Sequence, residues 1–150
     1  MKAVTAKFAR IKDTLPYIAI VSLILTPDAP ENHIEILCDG VPGISQGDIE
    51  EATLHGYEDW KQGAQRGVLF ALNVANQTRC HVAITKIQGM LTDTNPTIVG
   101  AAAMLATWEA LAFTPPQEIV SRVEGQVFAS WKLAWDAVPE FVSSLGENPT

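Results

Sequence analysis

The first part of the chain has the polar and apolar pattern of three β-strands. Residues 3–11 alternate between apolar and polar positions, which is the period of a strand with one buried face. Residues 17–25 are continuously apolar and rich in β-branched side chains, as is typical of a central strand buried on both faces. Residues 33–38 alternate again, and we expect this strand to pair with residues 17–25 as a hairpin.

The pattern then changes to the three- and four-residue spacing of a helix. This helix is predicted to begin at Ser45 or Gly47, because negative charge in a first turn complements the positive end of the helix dipole. The acidic residues of that turn are Asp48, Glu50 and Glu51. Gly63 and Gly67 lower the helix propensity, so the helix ends near one of them or continues to about Leu72.

The rest of the chain predicts one further strand and two further helices. The strand covers residues 80–87, and Asn95 is the expected N-cap of a helix with Pro96 at its first position. That helix runs to about Phe113, and a third helix begins near Gln117 with an apolar residue every fourth position. The members of this stripe are Ile119, Val123, Val127, Trp131 and Trp135.

These elements place the protein in the α+β class. We expect a two-layer sandwich in which two long helices cover a mixed four-stranded sheet, with an added C-terminal helix. A chain of 150 residues has the common size of one domain. Residues 1–145 are assigned to this domain, and residues 146–150 to a frayed C-terminal tail.

Charge and apolar run lengths exclude several classes of partner. Seventeen acidic and ten basic residues give a net charge of −7, which disfavours nucleic acid. The longest apolar run is about half of the roughly 20 residues that cross a bilayer, so no membrane partner is expected. Basic residues precede this run as in a signal peptide, but no small-residue cleavage site follows it. Cys38 and Cys80 are too few for a disulfide scaffold, which favours a cytoplasmic location.

No catalytic or metal-binding motif is found, and no cofactor is expected. His33, His55 and His81 are scattered without the close spacing of metal ligands, so we expect no metal site. Cys80 and His81 are neighbours on a predicted strand, where adjacent side chains point to opposite faces. They therefore cannot form a nucleophile and base pair. The sequence favours a protein that is not an enzyme.

The junction of residues 93–95 is the first candidate site. It combines a carboxylate, a hydroxyl and an amide at a helix N-terminus, where free N–H groups bind anions. Helix capping explains Asn95 and the Thr94 hydroxyl without any ligand, and we favour that interpretation. The alternative is a small-molecule pocket formed by Asp93, Thr94, Asn95 and His81.

The aromatic residues Phe128, Trp131 and Trp135 are the second candidate site. They put more aromatic surface on the third helix than one buried stripe usually requires. Aromatic residues are enriched at interface centres, and they also cover open sheets. The third helix therefore either covers the sheet or forms the interface of a homo-oligomer.

Residues 34–113 resemble domain IV of elongation factor G and its structural relatives. Residues 48–63, with Gly56 in the middle and Gly63 at the end, look like the long helix of that family. Residues 93–95 are similar to its Asp-Ser-Ser helix start. The resemblance implies a sheet covered on one face by two helices, joined through a strand-helix-strand crossover of the rare left hand.

The sequence departs from that family at two places that matter for its role in translation. The Gly-rich basic loop between its first strands is replaced by residues 26–32, which are acidic. The chain also contains no GTP-binding Gly-x-x-x-x-Gly-Lys-Ser/Thr motif. We therefore expect a non-enzymatic binding or assembly module that forms a homo-oligomer. The alternatives are a ligand-binding protein or small-molecule enzyme, and a translation-associated factor.

Overall fold

The computed structural model of the protein describes residues 1–40 and 49–141. The strands of its sheet are β1 (Lys2–Lys12), β2 (Leu15–Thr26), β3 (His33–Ile36), β4 (Ile49–Glu51) and β5 (His81–Met90). The helices are α1 (Glu58–Val74), α2 (Pro96–Ala110) and α3 (Gln117–Ala129), and a 3-10 turn at Ser130–Lys132 follows α3.

The five strands form one mixed sheet, which confirms the α+β class. Its order is β1-β2-β5-β3, and the short β4 lies beside β3 along the same edge of β5. β1 pairs with β2, β2 with β5, and β4 with β5 in antiparallel fashion, whereas β3 runs parallel to β5. The prediction of four strands missed β4, which is only three residues long.

The helices form the second layer of the sandwich on one face of the sheet. Every second residue of β1 and β2 is buried beneath them, from Val4 to Phe8 and from Tyr17 to Leu25. α2 packs across β1 and β2, while α1 packs on β3 and β5. The intervening residues of β2 are only half-buried, so the prediction that this strand is buried on both faces is wrong.

The predicted hairpin between residues 17–25 and 33–38 is also wrong. β2 instead forms its hairpin with β1, through a turn at Asp13 and Thr14. Both turn residues have positive φ, 53° and 67°, which is the backbone of the type I′ turn that suits a twisted hairpin. β3 pairs with β5 after the chain has passed through β4 and α1, so the two parallel strands are joined by a strand-helix-strand crossover.

The first helix begins later than its acidic residues indicated. Glu50 and Glu51 belong to β4, while Ser45, Gly47 and Asp48 lie outside the described residues. α1 starts after Tyr57, and its first turn carries Glu58 and Asp59. The dipole argument was therefore sound, but it applied to a second acidic pair eight residues further along the chain.

The structure confirms only part of the apolar stripe predicted for the third helix. Ile119, Val123 and Val127 are buried in the core as expected. The helix ends at Ala129, so Trp131 and Trp135 follow it rather than extend its stripe. The predicted tail at residues 146–150 lies outside the described residues. Within the described ranges, no helix combines the length and the apolar character that crossing a membrane requires.

Candidate functional site

Thr94 ties the end of β5 to the neighbouring strand. Its Oγ1 donates a hydrogen bond to the Ile18 carbonyl oxygen at 2.6 Å and accepts one from the Met90 N–H at 2.8 Å. A Cβ at Gly89 would lie 2.4 Å from the same oxygen, so the glycine leaves room for this contact. The Thr94 hydroxyl is therefore already used by the fold.

Asn95 is the N-cap of α2, as predicted. Its Oδ1 accepts a hydrogen bond from the Ile98 N–H at 3.0 Å, and its Nδ2 donates one to Ser130 Oγ at 2.9 Å. The Ser130 hydroxyl in turn donates to the Val127 carbonyl oxygen. Asn95 is 3% exposed and both of its polar atoms have protein partners, so it has a structural role that needs no ligand.

The structure does not assemble the pocket predicted from Asp93, Thr94, Asn95 and His81. His81 begins β5 and Met90 ends it, and the ten residues of this strand span about 30 Å. His81 is thus far from the other three residues. Asp93 and Thr94 are adjacent in sequence but line two different cavities.

Thr94 opens onto a cavity of about 270 Å³, which we call the aromatic cleft. Three segments surround it: the start of α1, the turn after β5, and the chain that follows α3. Its lining residues are Tyr57, Asp59, Trp60, Leu91, Thr94, Trp131 and Trp135. Trp131 and Trp135, predicted as an interface, therefore lie in the same cavity as Thr94, predicted as a ligand contact.

The inner wall of the aromatic cleft is closely packed and hydrogen-bonded. The rings of Tyr57 and Trp60 lie 4.9 Å apart at an angle of 45°, and Trp60 is only 4% exposed. The Tyr57 hydroxyl donates a hydrogen bond to the Glu50 carboxylate. This bond, together with partial burial, raises the pKa of Tyr57 to about 12. Trp135 forms the outer rim and is 71% exposed.

Asp59 supplies the charge of the aromatic cleft. Among the described residues no basic side chain forms an ion pair with it, and residues 41–48 and 142–150 include no Lys, Arg or His. The nearby Lys61 instead binds the Leu54 carbonyl oxygen at 3.1 Å and lies 3.5 Å from the Glu58 carboxylate. The cleft therefore combines aromatic faces with one carboxylate that no protein cation neutralises.

A second cavity of about 490 Å³ lies at the end of the β1–β2 hairpin. Its lining residues are Ala9, Arg10, Ile11, Pro16, Tyr17, Ile18, Met90 and Asp93. Its charged groups are already engaged, because Arg10 pairs with Glu124 at 3.0 Å and Asp93 accepts a hydrogen bond from the Thr92 hydroxyl. The remaining surface is mainly apolar, so this cavity offers less specific chemistry than the aromatic cleft.

Phe128 does not join Trp131 and Trp135. Its ring meets that of Tyr17 edge to face, with centroids 5.2 Å apart. The Lys12 ammonium lies 5.1 Å from the centre of the same ring. Phe128 thus fixes α3 against the first hairpin, and the predicted aromatic set divides into one packing residue and two cleft residues.

Two of the three histidines come together on the face of the sheet opposite the helices. The parallel pairing of β3 with β5 sets His33 directly across from His81, and Glu35 lies one strand period further on. The expectation that the histidines are scattered is therefore wrong for this pair. His55 remains apart, in the turn before α1.

Comparison with known proteins identifies a fold relative only. No protein family matches the sequence, and no curated protein is similar to it. The structure is similar to the crystal structure of a protein from Thermus thermophilus, with a TM-score of 0.55 and 17% sequence identity. The match covers 86% of this chain but only 21% of that one. This likeness supports a weak structural relative, and the specific resemblance to domain IV of elongation factor G stays a prediction.

Proposed function

We propose that this protein is a non-enzymatic binding module that holds a small organic cation in the aromatic cleft. The observation that carries the proposal is the convergence of four aromatic side chains and the Asp59 carboxylate on one cavity of about 270 Å³. Aromatic faces attract a cation through their quadrupole, by about 0.5–1 kcal/mol at exposed sites and about 2 kcal/mol when desolvated.

The hydrogen bonds of the cleft favour a ligand that needs few of them. The Tyr57 hydroxyl donates to Glu50 and the Thr94 hydroxyl donates to Ile18, so neither proton is available to a ligand. What remains is π surface, the indole N–H groups of Trp131 and Trp135, the apolar Leu91 side chain and one carboxylate. A quaternary ammonium group has no N–H to donate and matches this combination.

The size of the cleft sets an upper limit on the ligand. Pockets for drug-sized ligands measure about 300–1,000 Å³, and the aromatic cleft lies just below that range. A trimethylammonium head group or a similar cation fits better than a larger molecule. Trp135 is 71% exposed, so its side chain has room to adjust to a bound ligand.

Binding is favoured over catalysis because the polar groups beside the cleft serve the fold. The Tyr57 hydroxyl donates to Glu50, Thr94 ties the end of β5 to β2, and Asn95 caps α2. A translation-associated role would rest on fold analogy alone, and the net charge of −7 argues against RNA as its ligand.

Calorimetric titration with choline and with its uncharged carbon analogue dimethylbutanol tests the proposal. We expect choline to bind at least about tenfold more tightly, since the two ligands differ in charge rather than shape. Asp59→Asn and Trp131→Leu should each reduce choline affinity by about tenfold or more. Glu31→Gln removes an exposed carboxylate away from the cleft and serves as the control.

Thermal melts of the same variants distinguish loss of ligand binding from loss of folding. Asp59→Asn should melt close to the wild type, because Asp59 has no ion pair to lose among the described residues and its first-turn charge contributes only about 0.3–1 kcal/mol with the helix dipole. Equal affinity for the charged and uncharged ligands would contradict cation recognition and indicate an apolar pocket. No binding of either ligand at millimolar concentration would reject the proposal.

Self-association is a second candidate, because the rim of the cleft exposes apolar side chains. The lining residues Leu91 and Trp135 are 64% and 71% exposed, and Leu133, which lies between the two cleft tryptophans in the sequence, is 57% exposed. Burial of such a patch against a second copy would make a homo-oligomer. Light scattering at micromolar concentration should then report a dimer or larger, and a monomer over that range would exclude this candidate.

A further inference from the structure

We propose that His33, Glu35 and His81 form a binding site for a divalent transition-metal ion, independent of the aromatic cleft. One ligand atom from each of these residues lies within 4.8 Å of the other two. The three side chains sit at the edge of the sheet, on the face that the helices do not cover.

Strand pairing creates this cluster. β3 and β5 are parallel and in register, so His33 and His81 are direct neighbours on one face. Glu35 follows His33 by two residues and points to the same face. The imidazole rings are stacked, with centroids 5.4 Å apart and planes 14° from parallel. Both rings place Nε2 within 4.0 Å of the same Glu35 oxygen, at 3.8 Å for His33 and 3.2 Å for His81.

The distances are close to those of a metal coordination sphere. Glu35 Oε2 lies 3.2 Å from His81 Nε2 and 3.8 Å from His33 Nε2. Metal-ligand bonds of about 2.0–2.2 Å in a tetrahedral site place neighbouring ligand atoms about 3.3–3.6 Å apart. Small side-chain rotations would thus bring all three atoms onto one ion.

The donor set selects the class of metal. Two imidazoles and one carboxylate suit zinc and its neighbours in the first transition row, whereas magnesium and calcium prefer oxygen ligands. The side chains of His33, Glu35 and His81 are 63%, 38% and 35% exposed, so an ion here keeps open positions for water or a further ligand. Three protein ligands with an open position differ from the closed four-ligand set of structural zinc.

The nearby thiol does not belong to this site. Cys80 precedes His81, but its side chain is buried in the core on the opposite face. The metal site therefore consists of the three residues on the uncovered face.

Zinc titration of chelator-treated protein tests the site, with calorimetry and thermal melting as readouts. We expect one zinc ion per chain and a rise in melting temperature of about 5–10 °C when free zinc is about 100-fold above its dissociation constant. Magnesium should leave the melting temperature unchanged. His33→Gln and His81→Gln should each weaken zinc binding by about 100-fold or more, since loss of an outer-shell partner alone costs about 10–100-fold. Glu35→Gln should also weaken it.

His55→Gln is the matched control, because it removes the third histidine without touching the cluster. It should bind zinc like the wild type. If it loses as much affinity as His33→Gln, or if zinc leaves the wild-type melting temperature unchanged, the assignment is wrong. Melts of each variant in chelator separate misfolding from loss of a ligand. Visible absorption of the cobalt-loaded wild type, lost in His81→Gln and kept in His55→Gln, provides a second readout.

Discussion

The middle of α1 and its start make contacts of opposite kinds. Along its middle, Gly63 and Gly67 press against the backbone of α2, where an added Cβ would lie 2.3 Å from the Pro96 oxygen and 2.2 Å from the Gly100 oxygen. At its start, Tyr57, Asp59 and Trp60 border the aromatic cleft, which has room for a ligand. One helix thus provides a closed packing contact and an open site.

This difference separates residues that hold the fold from residues available for binding. In the closed region the two helix backbones touch, and no volume is left between them for a side chain. In the open region the Asp59 carboxylate, which forms no ion pair within the described residues, and the exposed Trp135 indole remain at the surface. Substitutions in the closed region should therefore change the free energy of unfolding, and substitutions in the cleft should change ligand affinity.

Gly67→Ala should have the largest effect on stability. The added methyl group would overlap the Gly100 carbonyl and push α1 and α2 apart, at a cost of about 3 kcal/mol in the free energy of unfolding. Gly125→Ala is the control within α3, where nothing lies within 4 Å of the new Cβ. It should stabilise the protein by about 0.5–1 kcal/mol, because alanine favours helix more than glycine. Urea unfolding measures both, and equal changes would contradict the close contact.

Asn95→Ala should cost about 2 kcal/mol. It removes the N-cap of α2, worth about 1 kcal/mol, and the hydrogen bond that Nδ2 donates to the buried Ser130 hydroxyl. Asn95→Asp keeps the cap acceptor but loses the donor and buries a charge, so it should also destabilise. Chemical denaturation of both variants checks this, and wild-type stability for Asn95→Asp would contradict the Ser130 contact.

Cys38 lies in the hydrophobic core, and it should have a smaller, pH-dependent effect on the free energy of unfolding. Burial raises the pKa of its thiol from 9.0 to about 11, with smaller effects from neighbouring charges. Because the folded pKa is higher than the unfolded one, this stabilisation is complete below pH 9 and is lost as the pH rises toward 11. At pH 10 the loss is about 1 kcal/mol. The free energy of unfolding of the wild type and of Cys38→Ala is measured between pH 7 and about pH 10. It should decline less steeply with pH in the variant. Parallel curves would contradict the raised pKa of Cys38.

Some local signals in the sequence identified the correct element, whereas the pairing between distant segments was not predicted correctly. The cap at Asn95 and the strand over residues 17–25 depend on neighbouring residues alone, and both were predicted. The partner of β3 depends on a crossover through α1, so the expected hairpin was wrong. His33 and His81 meet only through that pairing, 48 positions apart, and spacing could not have indicated it.

The candidate site shows the same limit. Trp131 and Trp135 stand out in the sequence as unusual aromatic residues, but their four-residue period predicts a helix that in fact ends at Ala129. No pattern links them to Tyr57 or Asp59, because the cleft forms only when α1 and the chain after α3 meet. The sequence contains the components of the site without their arrangement.

The four tryptophans of the chain allow a direct test of cation binding in the aromatic cleft. Trp60, Trp131 and Trp135 line the aromatic cleft, while the Trp108 indole N–H donates to the Ala71 carbonyl oxygen at 3.1 Å in the closed region. Two-dimensional NMR resolves the four indole N–H groups during a choline titration. We predict saturable shifts of Trp131 and Trp135, a smaller shift of Trp60, and none of Trp108. Unchanged indole signals, or a shift of Trp108 equal to that of Trp131, would contradict the account.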